Sequence, residues 1–332
     1  MTRPRTSAPA RPKTFSARQP GVSARPGMIW LALGSLYVIW GSTYLAIRVA
    51  VETLPPFLMA SVRFLVAGVL LYAWAIRRGD RSGDRPTRRQ WLGAFAIGGL
   101  LLVGGNGGVV WSEQYVPSGI ASLIVATVPL WMALIDRVVN GQRLAVQAVI
   151  GLIVGFAGLV LLGGPGGDFH VVGIVVLVGA SLSWAIGSIY SRSASLPSRP
   201  LVGISMEMIG GGILLGLVGL ALGEVGDVEP ARISAASLWG LGYLIVFGSW
   251  VGFSAYIWLL RVAPVSLVGT YAYVNPVVAV FLGWWLLSEL VTLRMLGAAA
   301  VILVGVALIV TARAVPRSTA EGDGADSATT AS

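Results

Sequence analysis

Long apolar segments recur along almost the whole chain, and they limit the folds that are open to it. A helix crosses the hydrocarbon core of a bilayer with roughly 20 apolar residues, within a range of ~17 to 25. The segments therefore predict an all-α integral membrane protein with ten transmembrane helices. The predicted spans are residues 29–48, 56–76, 91–111, 118–136, 144–163, 171–190, 201–222, 236–260, 266–287 and 294–312.

The composition agrees with a location in the membrane. Of the 332 residues, 56% are hydrophobic and 11% are charged, whereas a soluble domain has about 25% charged residues. The chain contains no cysteine, so disulfides and thiolate metal sites are excluded. The sequence predicts no cofactor and no bound metal.

The net charge of +9 reflects topology rather than a nucleic-acid partner. If the N-terminus is cytoplasmic, most of the 23 Lys and Arg residues fall in the tails and loops on that side. The positive-inside rule therefore predicts that both termini are cytoplasmic, in the inner membrane of a bacterial-type cell. The predicted partners are the lipid bilayer and a small-molecule substrate, with proton coupling as an open possibility. Monomer and homo-oligomer both remain open.

The chain divides into two predicted halves with a tail at each end. Residues 1–27 are basic and rich in Pro, Ser and Ala, and they predict a disordered cytoplasmic tail. Residues 313–332 predict a second one. Between the tails lie a first five-helix unit, 29–163, and a second, 171–312.

The two halves resemble each other. The stretch VRFLVAGVLL (62–71) aligns with MEMIGGGILL (206–215), which places Arg63 opposite Glu207 at an offset of 144 residues. Because five spans is an odd number, the second copy enters the membrane from the opposite side. Two inverted repeats are typical of transporters whose substrate binds near the midplane between the halves. Further pairs in register are Trp40 with Trp184 at the same offset and, at 147 residues, Trp111 with Trp258, Pro117 with Pro264, Pro129 with Pro276, and Gly158 with Gly305.

Three stretches of the chain resemble a known family. They are WGSTYLAIRVAVETLPPFLMASVRFLVAG, GASLSWAIGSIYSR and VNPVVAVFLGWWLLSELVTLRMLGAAAVILVGVALI. They are similar to the EamA family of the drug/metabolite transporter (DMT) superfamily. This resemblance implies a ten-helix secondary transporter, often an exporter of amino acids or other small metabolites. The chain departs from the family pattern at Gln142, where the turn before the fifth helix usually carries an acid, whereas the second half keeps Glu289.

The predicted function is secondary active transport, as an exporter, of a small metabolite such as an amino acid. A sugar-phosphate or nucleotide-sugar exchanger and a non-saturable channel remain open as alternatives. An enzyme is not expected, because the sequence contains neither HExxH nor GxSxG and its single histidine, His170, lies in a predicted loop.

Two charged residues within the spans have two interpretations each. A charge at bilayer depth costs ~2.5 to 3.5 kcal/mol on insertion scales, so it normally faces protein or a water-filled cavity. Arg63 either anchors a carboxylate of the substrate or reaches the interface and packs. Glu207 either couples transport to protons or holds a neighbouring helix. Inversion places them at different depths, which argues against a direct ion pair.

Several other polar and aromatic residues are candidates for a substrate cavity. Tyr37, Trp40 and Tyr44 share one helical face, and Trp184 and Ser188 repeat part of that pattern in the second half. Each is either cavity lining or ordinary packing. The remaining candidates, with the same two interpretations, are Asn106 in GGNGG and Tyr271 and Asn275 before Pro276.

Overall fold

The computed structural model describes residues 25–77, 85–140, 144–163, 170–263, 265–268 and 270–312. Within these ranges all regular structure is helical, and none is in strands. The predicted tail at 313–332, residues 1–24 of the other tail, and Gln142 lie outside the described residues.

The first half contains seven α-helical pieces and one π-helical segment. These are α1 (Pro26–Ala50), α2 (Pro56–Arg77), α3 (Arg88–Gly98), the π-helical segment Gly99–Gly107, α4 (Gly108–Ser112), α5 (Ser118–Val125), α6 (Val128–Asn140) and α7 (Val146–Gly163).

The second half follows the same order with a second π-helical segment. Its elements are α8 (Val171–Ser191), α9 (Pro200–Ala221), the 3₁₀ turns Glu224–Asp227 and Pro230–Arg232, α10 (Ala235–Tyr243), the π-helical segment Leu244–Val251, α11 (Gly252–Val262), α12 (Val265–Val268), α13 (Tyr271–Leu287) and α14 (Leu293–Thr311).

Each predicted span contains helix among the described residues, and eight of the spans correspond to helices that are long and apolar enough to cross a membrane. The two others, α7 and α13, are apolar but shorter. The predicted span 118–136 is interrupted between α5 and α6, where the hydroxyl of Thr127 donates to the carbonyl of Ile124. Pro129, in the first turn of α6, lacks the N–H that would continue the helical hydrogen bonds of α5.

Glycines allow helices of the two halves to approach closely. A Cβ added to Gly68 of α2 would lie 2.9 Å from Cβ of Met208, and one added to Gly212 of α9 would lie 2.9 Å from Cγ of Leu65. Helices α7 and α14 meet in the same way, since a Cβ on Gly305 would collide with the backbone of Gly155. Small residues are expected at helix contacts inside membranes, where close packing replaces the hydrophobic driving force.

Hydrogen bonds define two ends of the bundle. At the Glu113 end, Arg48 of α1 donates to the carbonyl of Glu113 beyond α4. At the Arg199 end, Arg199 donates to the carbonyl of Ala75 near the end of α2. Helix α2 runs from the Glu113 end to the Arg199 end, and α9 runs in the opposite direction beside it.

Candidate functional site

Four aromatic rings meet where α1 of the first half packs against the second half. The ring of Trp40 lies 5.4 Å from that of Phe253, 5.2 Å from that of Tyr256 and 5.1 Å from that of Tyr271. Tyr256 and Tyr271 also contact each other edge to face at 5.9 Å. We call Trp40, Phe253, Tyr256 and Tyr271 the aromatic cluster. It brings two of the predicted cavity residues, Trp40 and Tyr271, into direct contact.

Trp40 packs against the π-helical segment Leu244–Val251 and the start of α11. The indole Nε1 of Trp40 donates to the carbonyl of Gly248 at 3.3 Å. A Cβ at Gly252 would collide with Nε1 and would lie 3.0 Å from Cδ1 of the same ring. Glycine is therefore required at position 252 for Trp40 to keep this place. π-Helical turns are rare and frequently occur at functional sites.

A related contact, made by the other edge of the indole, occurs between Trp184 and Gly105. A Cβ at Gly105, in the π-helical segment Gly99–Gly107, would lie 2.8 Å from Cε3 of Trp184. Trp184 follows Trp40 by 144 residues, and Gly252 follows Gly105 by 147. Asn106 stands 147 residues before Phe253, so the second location lacks one of the rings that surround Trp40. The aromatic cluster is therefore specific to one of the two equivalent places.

Arg63 extends from α2 to the π-helical segment of the second half. It is 4% exposed, and its Nε donates to the hydroxyl of Ser249 at 3.1 Å. A Cβ on Gly248 would lie 3.4 Å from Nη2, so glycine leaves room for the guanidinium. The Nη1 atom has no hydrogen-bond partner among the described residues. A buried, unsatisfied donor is costly, which makes Nη1 available to a ligand.

Glu113 is another buried ionisable residue, and it is not among the site residues predicted from the sequence. It is 0% exposed and directly follows Ser112, the last residue of α4. Neither carboxyl oxygen has a hydrogen-bond partner in the described part of the chain. Burial, with Glu289 adding to the effect, raises the pKa of Glu113 well above its usual range, against the opposing influence of Arg48 and Arg63. The only signal in the sequence is an acid at the immediate end of an apolar span.

The other predicted site residues lie in different surroundings. Tyr44 of α1 lies near both Glu113 and Tyr271. The hydroxyl of Tyr37 shares a hydrogen bond with that of Thr270. Ser188 donates to the carbonyl of Trp184 at 2.7 Å, within its own helix.

Two side-chain amides have buried oxygen atoms without a hydrogen-bond partner. Among the described residues, Oδ1 of Asn275 and Oδ1 of Asn106 accept no hydrogen bond. Asn275 is 8% exposed and lies on α13, the helix that contributes Tyr271. Asn106 lies in the first π-helical segment, on the side of Trp184.

Glu207 lies away from Arg63. Gly68 of α2 is level with Met208 of α9, and the two helices run in opposite directions. Arg63 and Glu207 are therefore separated along the helix axes by the rise of about six residues, or ~9 Å at 1.5 Å per residue. This separation is too large for an ion pair.

Two carboxylates of the second half bind the starts of helices in the first half. Glu224 accepts from the backbone N–H groups of Phe57 at 3.1 Å and Leu58 at 2.8 Å. Glu289 accepts from the N–H groups of Ser118 at 2.8 Å and Gly119 at 3.2 Å. The first N–H groups of a helix have no partner within it and carry partial positive charge. We call Glu224 and Glu289 the carboxylate caps, and both lie at the Glu113 end.

A cavity of about 420 Å³ opens on the surface at the end of α13. It lies away from the aromatic cluster, and its lining includes Glu289 and two exposed tryptophans, Trp284 and Trp285. Exposed aromatic residues at the end of a span are typical of the membrane interface. We therefore attribute this cavity to the lipid-facing surface.

A bundle of apolar helices, eight of them long enough to cross a membrane in the described residues, is the architecture of a multi-pass membrane protein. The EamA-like transporter family model matches the chain twice, over residues 25–164 and 171–311. The chain belongs to this family, which confirms the resemblance seen in the sequence, and it is a transporter.

Relatives of the chain carry transporter names. The chain is 42% identical over 260 residues to a protein of Escherichia coli strain K12 named "Uncharacterized inner membrane transporter YedA", covering 78% of this chain and 82% of that one. It is 25% identical over 299 residues to the "Uncharacterized transporter YvbV" of Bacillus subtilis strain 168, covering 88% and 94%. A solved crystal structure with 22% identity matches with a TM-score of 0.59, covering 86% of this chain and 98% of that one. This last likeness concerns the fold alone.

Proposed function

We propose that this transporter is a secondary active exporter of a small metabolite such as an amino acid. It works by alternating access between two inverted five-helix repeats. The recurrence of the Trp–Gly contact at Trp40 with Gly252 and at Trp184 with Gly105 supports the repeat. The opposite directions of α2 and α9 support the inversion.

The Arg199 end faces the cytoplasm in this proposal, and the Glu113 end faces the other side of the inner membrane. Basic residues near the start of α3 and the start of α9, which include Arg88, Arg89 and Arg199, lie at the Arg199 end. This distribution follows the positive-inside rule. In this orientation both termini would lie in the cytoplasm.

The observation that carries the proposal is the free Nη1 of Arg63. A planar guanidinium binds a carboxylate through paired, charge-assisted hydrogen bonds. Nε is already held by Ser249, so the guanidinium is fixed in place before a substrate arrives. The nearby aromatic cluster offers flat apolar surface to the rest of a small molecule.

A sugar-phosphate or nucleotide-sugar exchanger is the weaker candidate. Such a substrate carries two or more negative charges and requires several basic side chains. Arg63 and Arg48 are the basic residues that interact with the buried site in the described structure, and Arg48 is already bound to the carbonyl of Glu113.

Counterflow in proteoliposomes tests the proposal. Vesicles loaded with unlabelled amino acids, purines, pentoses or amphipathic cations are tested for uptake of the labelled compound. A carrier shows saturable uptake of one class, whereas non-saturable flux would identify a channel and contradict the proposal. Arg63→Ala is expected to weaken uptake of an anionic or zwitterionic substrate more than tenfold. Arg232→Ala is the matched control, because Arg232 forms an exposed ion pair with Glu229.

Glu207 remains the predicted coupling residue of this mechanism. The Glu207→Gln variant is expected to lose the dependence of net transport on a pH gradient while it retains exchange. An unchanged response to the gradient would remove Glu207 from this role.

A further inference from the structure

The strongest feature that the proposed function leaves unused is the carboxyl group of Glu113. It is fully buried, and neither oxygen accepts a hydrogen bond from the described residues. The backbone carbonyl of the same residue is occupied, because it accepts from Arg48. Arg48 therefore holds the main chain at Glu113, while the carboxyl group of the side chain has no hydrogen bond to the described residues.

The groups that face Glu113 come from three neighbouring elements. Arg48 and Tyr44 belong to α1, Arg63 belongs to α2, and Glu289 follows α13. The two arginines attract a negative charge, whereas Glu289 repels it. Arg48 and Arg63 use donors on other acceptors, the carbonyl of Glu113 and the hydroxyl of Ser249, and neither bonds to the carboxyl group.

A buried carboxylate without hydrogen bonds is unstable. Its burial costs several kcal/mol even after relaxation, and attraction to nearby cations offsets this only when geometry and hydrogen bonds are good. In such places the group neutralises instead. The structure therefore favours the protonated carboxyl group, in agreement with the raised pKa of Glu113.

The carboxylate caps close the region around Glu113. Ser112 and Ser118, which flank the turn containing Glu113, are both 0% exposed. Glu289 binds Ser118 directly, and Glu224 ties the start of α2 to the second half. Glu113 is closed to solvent in this structure, and opening of these links is the change that would admit water to it.

We propose that Glu113 is a proton-binding site that controls the Glu113 end, neutral while this end is closed and ionised when it opens. On opening, the O–H bond of the carboxyl group breaks, the proton passes to water, and the carboxylate keeps the electron pair. The proposal rests on the alternating opening of the two ends that the proposed function requires.

Cysteine labelling of the purified full-length protein in detergent tests this site. The chain has no cysteine, so a single introduced thiol reports on its own surroundings. Ser112→Cys places the thiol next to Glu113, at a position that is fully buried in this structure. Its rate of reaction with a maleimide is measured across a pH series. Ala231→Cys, in the exposed turn Pro230–Arg232, corrects for the pH dependence of the thiol reaction.

The corrected rate at Ser112→Cys is expected to rise by up to tenfold per pH unit as Glu113 ionises. Adding Glu113→Gln, which resembles the neutral acid, is expected to keep the rate low and independent of pH. Glu229→Gln, at an exposed acid outside the proposed site, is the matched comparison and is expected to retain the rise. The proposal is overturned if the corrected rate does not depend on pH, if the rise persists in Glu113→Gln, or if it disappears in Glu229→Gln instead.

A second variant covers the case in which Glu113→Gln does not fold. Glu113→Asp keeps a carboxyl group but moves it by one methylene, so the midpoint of the rise is expected to shift. An unchanged midpoint would show that another group titrates. Labelling does not depend on transport, so a pH-dependent rate without counterflow would contradict the proposed function and leave this site intact.

Discussion

The Nε atom of Arg63 donates to the hydroxyl of Ser249 at 3.1 Å and thereby joins α2 of one half to a π-helical turn of the other. Both residues are buried. The bond joins the two units that would move relative to each other in the alternating-access cycle proposed above. It also orients the one guanidinium of the interior that keeps a free Nη1 among the described residues.

Removing the hydroxyl of Ser249 should disturb both stability and substrate binding. Ser249→Ala leaves Nε of Arg63 buried without its acceptor, which costs about 1–3 kcal/mol. The thermal midpoint in detergent should fall, and the KM for a carboxylate substrate should rise. Ser205→Ala is the matched control, because that buried hydroxyl bonds only to Val202 of its own helix. Equal effects of the two variants would show that Ser249 does not position Arg63.

The contact between α7 and α14 should tolerate no side chain at Gly305. The Gly305→Ala methyl would meet the backbone of Gly155 and the carbonyl of Gly151, neither of which can move like a flexible side chain. We expect a loss of about 1–3 kcal/mol, as for other overpacked contacts, measured as a lower thermal midpoint. Gly297→Ala, on the same helix, has no described atom within 4 Å of the new methyl and should be neutral.

The cap at Glu224 should stabilise the protein far more than a surface acid of the same loop. Glu224→Ala leaves the N–H groups of Phe57 and Leu58 without their acceptor, which predicts a loss of about 1–2 kcal/mol. Glu229→Ala removes only an exposed ion pair with Arg232, for which 0–1 kcal/mol is expected. Thermal unfolding of both variants at one pH makes the comparison, and equal midpoints would contradict the structural role of Glu224.

Stability should depend on pH through Glu113. Because the pKa of Glu113 is raised in the folded state, the folded protein binds more protons than the unfolded chain above the usual carboxyl range. The contribution of this group is therefore present at low pH and is lost as the pH rises from the unfolded pKa towards the folded one, by up to about 1.4 kcal/mol per pH unit. Relative to that of Glu113→Gln, the thermal unfolding midpoint of the wild-type protein should fall as the pH rises. A constant difference between the two proteins would show that Glu113 is ionised in the fold.

Much of the fold could be predicted because a bilayer requires a long, continuous run of apolar residues in each helix that crosses it. Length and hydrophobicity predicted an all-helical membrane protein, and the described residues include eight helices long and apolar enough to cross a membrane. The spacing of Trp40 and Trp184 pointed to two side chains that each lie against a glycine of the neighbouring half. Gly151 and Gly155 stand four residues apart, a spacing typical of close helix contacts in membranes, and the backbones of both lie against Gly305 of α14.

The interior polar groups were harder to predict because their roles depend on partners distant in the sequence. Glu113 stands at the edge of a span, where an acid is ordinary, and only the folded structure shows that its carboxyl group is buried. In the sequence, nothing distinguishes Phe253 and Tyr256 from other aromatic residues of an apolar helix. Their contact with Trp40 depends on how α11 crosses α1. No periodicity within one helix carries that information.

The carboxylate caps also affect the order in which the protein can be made. Glu224 and Glu289 are synthesised after α2 and α5, yet they complete the first turns of those helices. When only residues 25–163 have been synthesised and inserted, the first N–H groups of α2 and α5 still lack their carboxylate acceptors. The first half therefore reaches its final form only after the residue that follows α13 has been inserted. Separately expressed halves should be stable only when both are produced in the same cell.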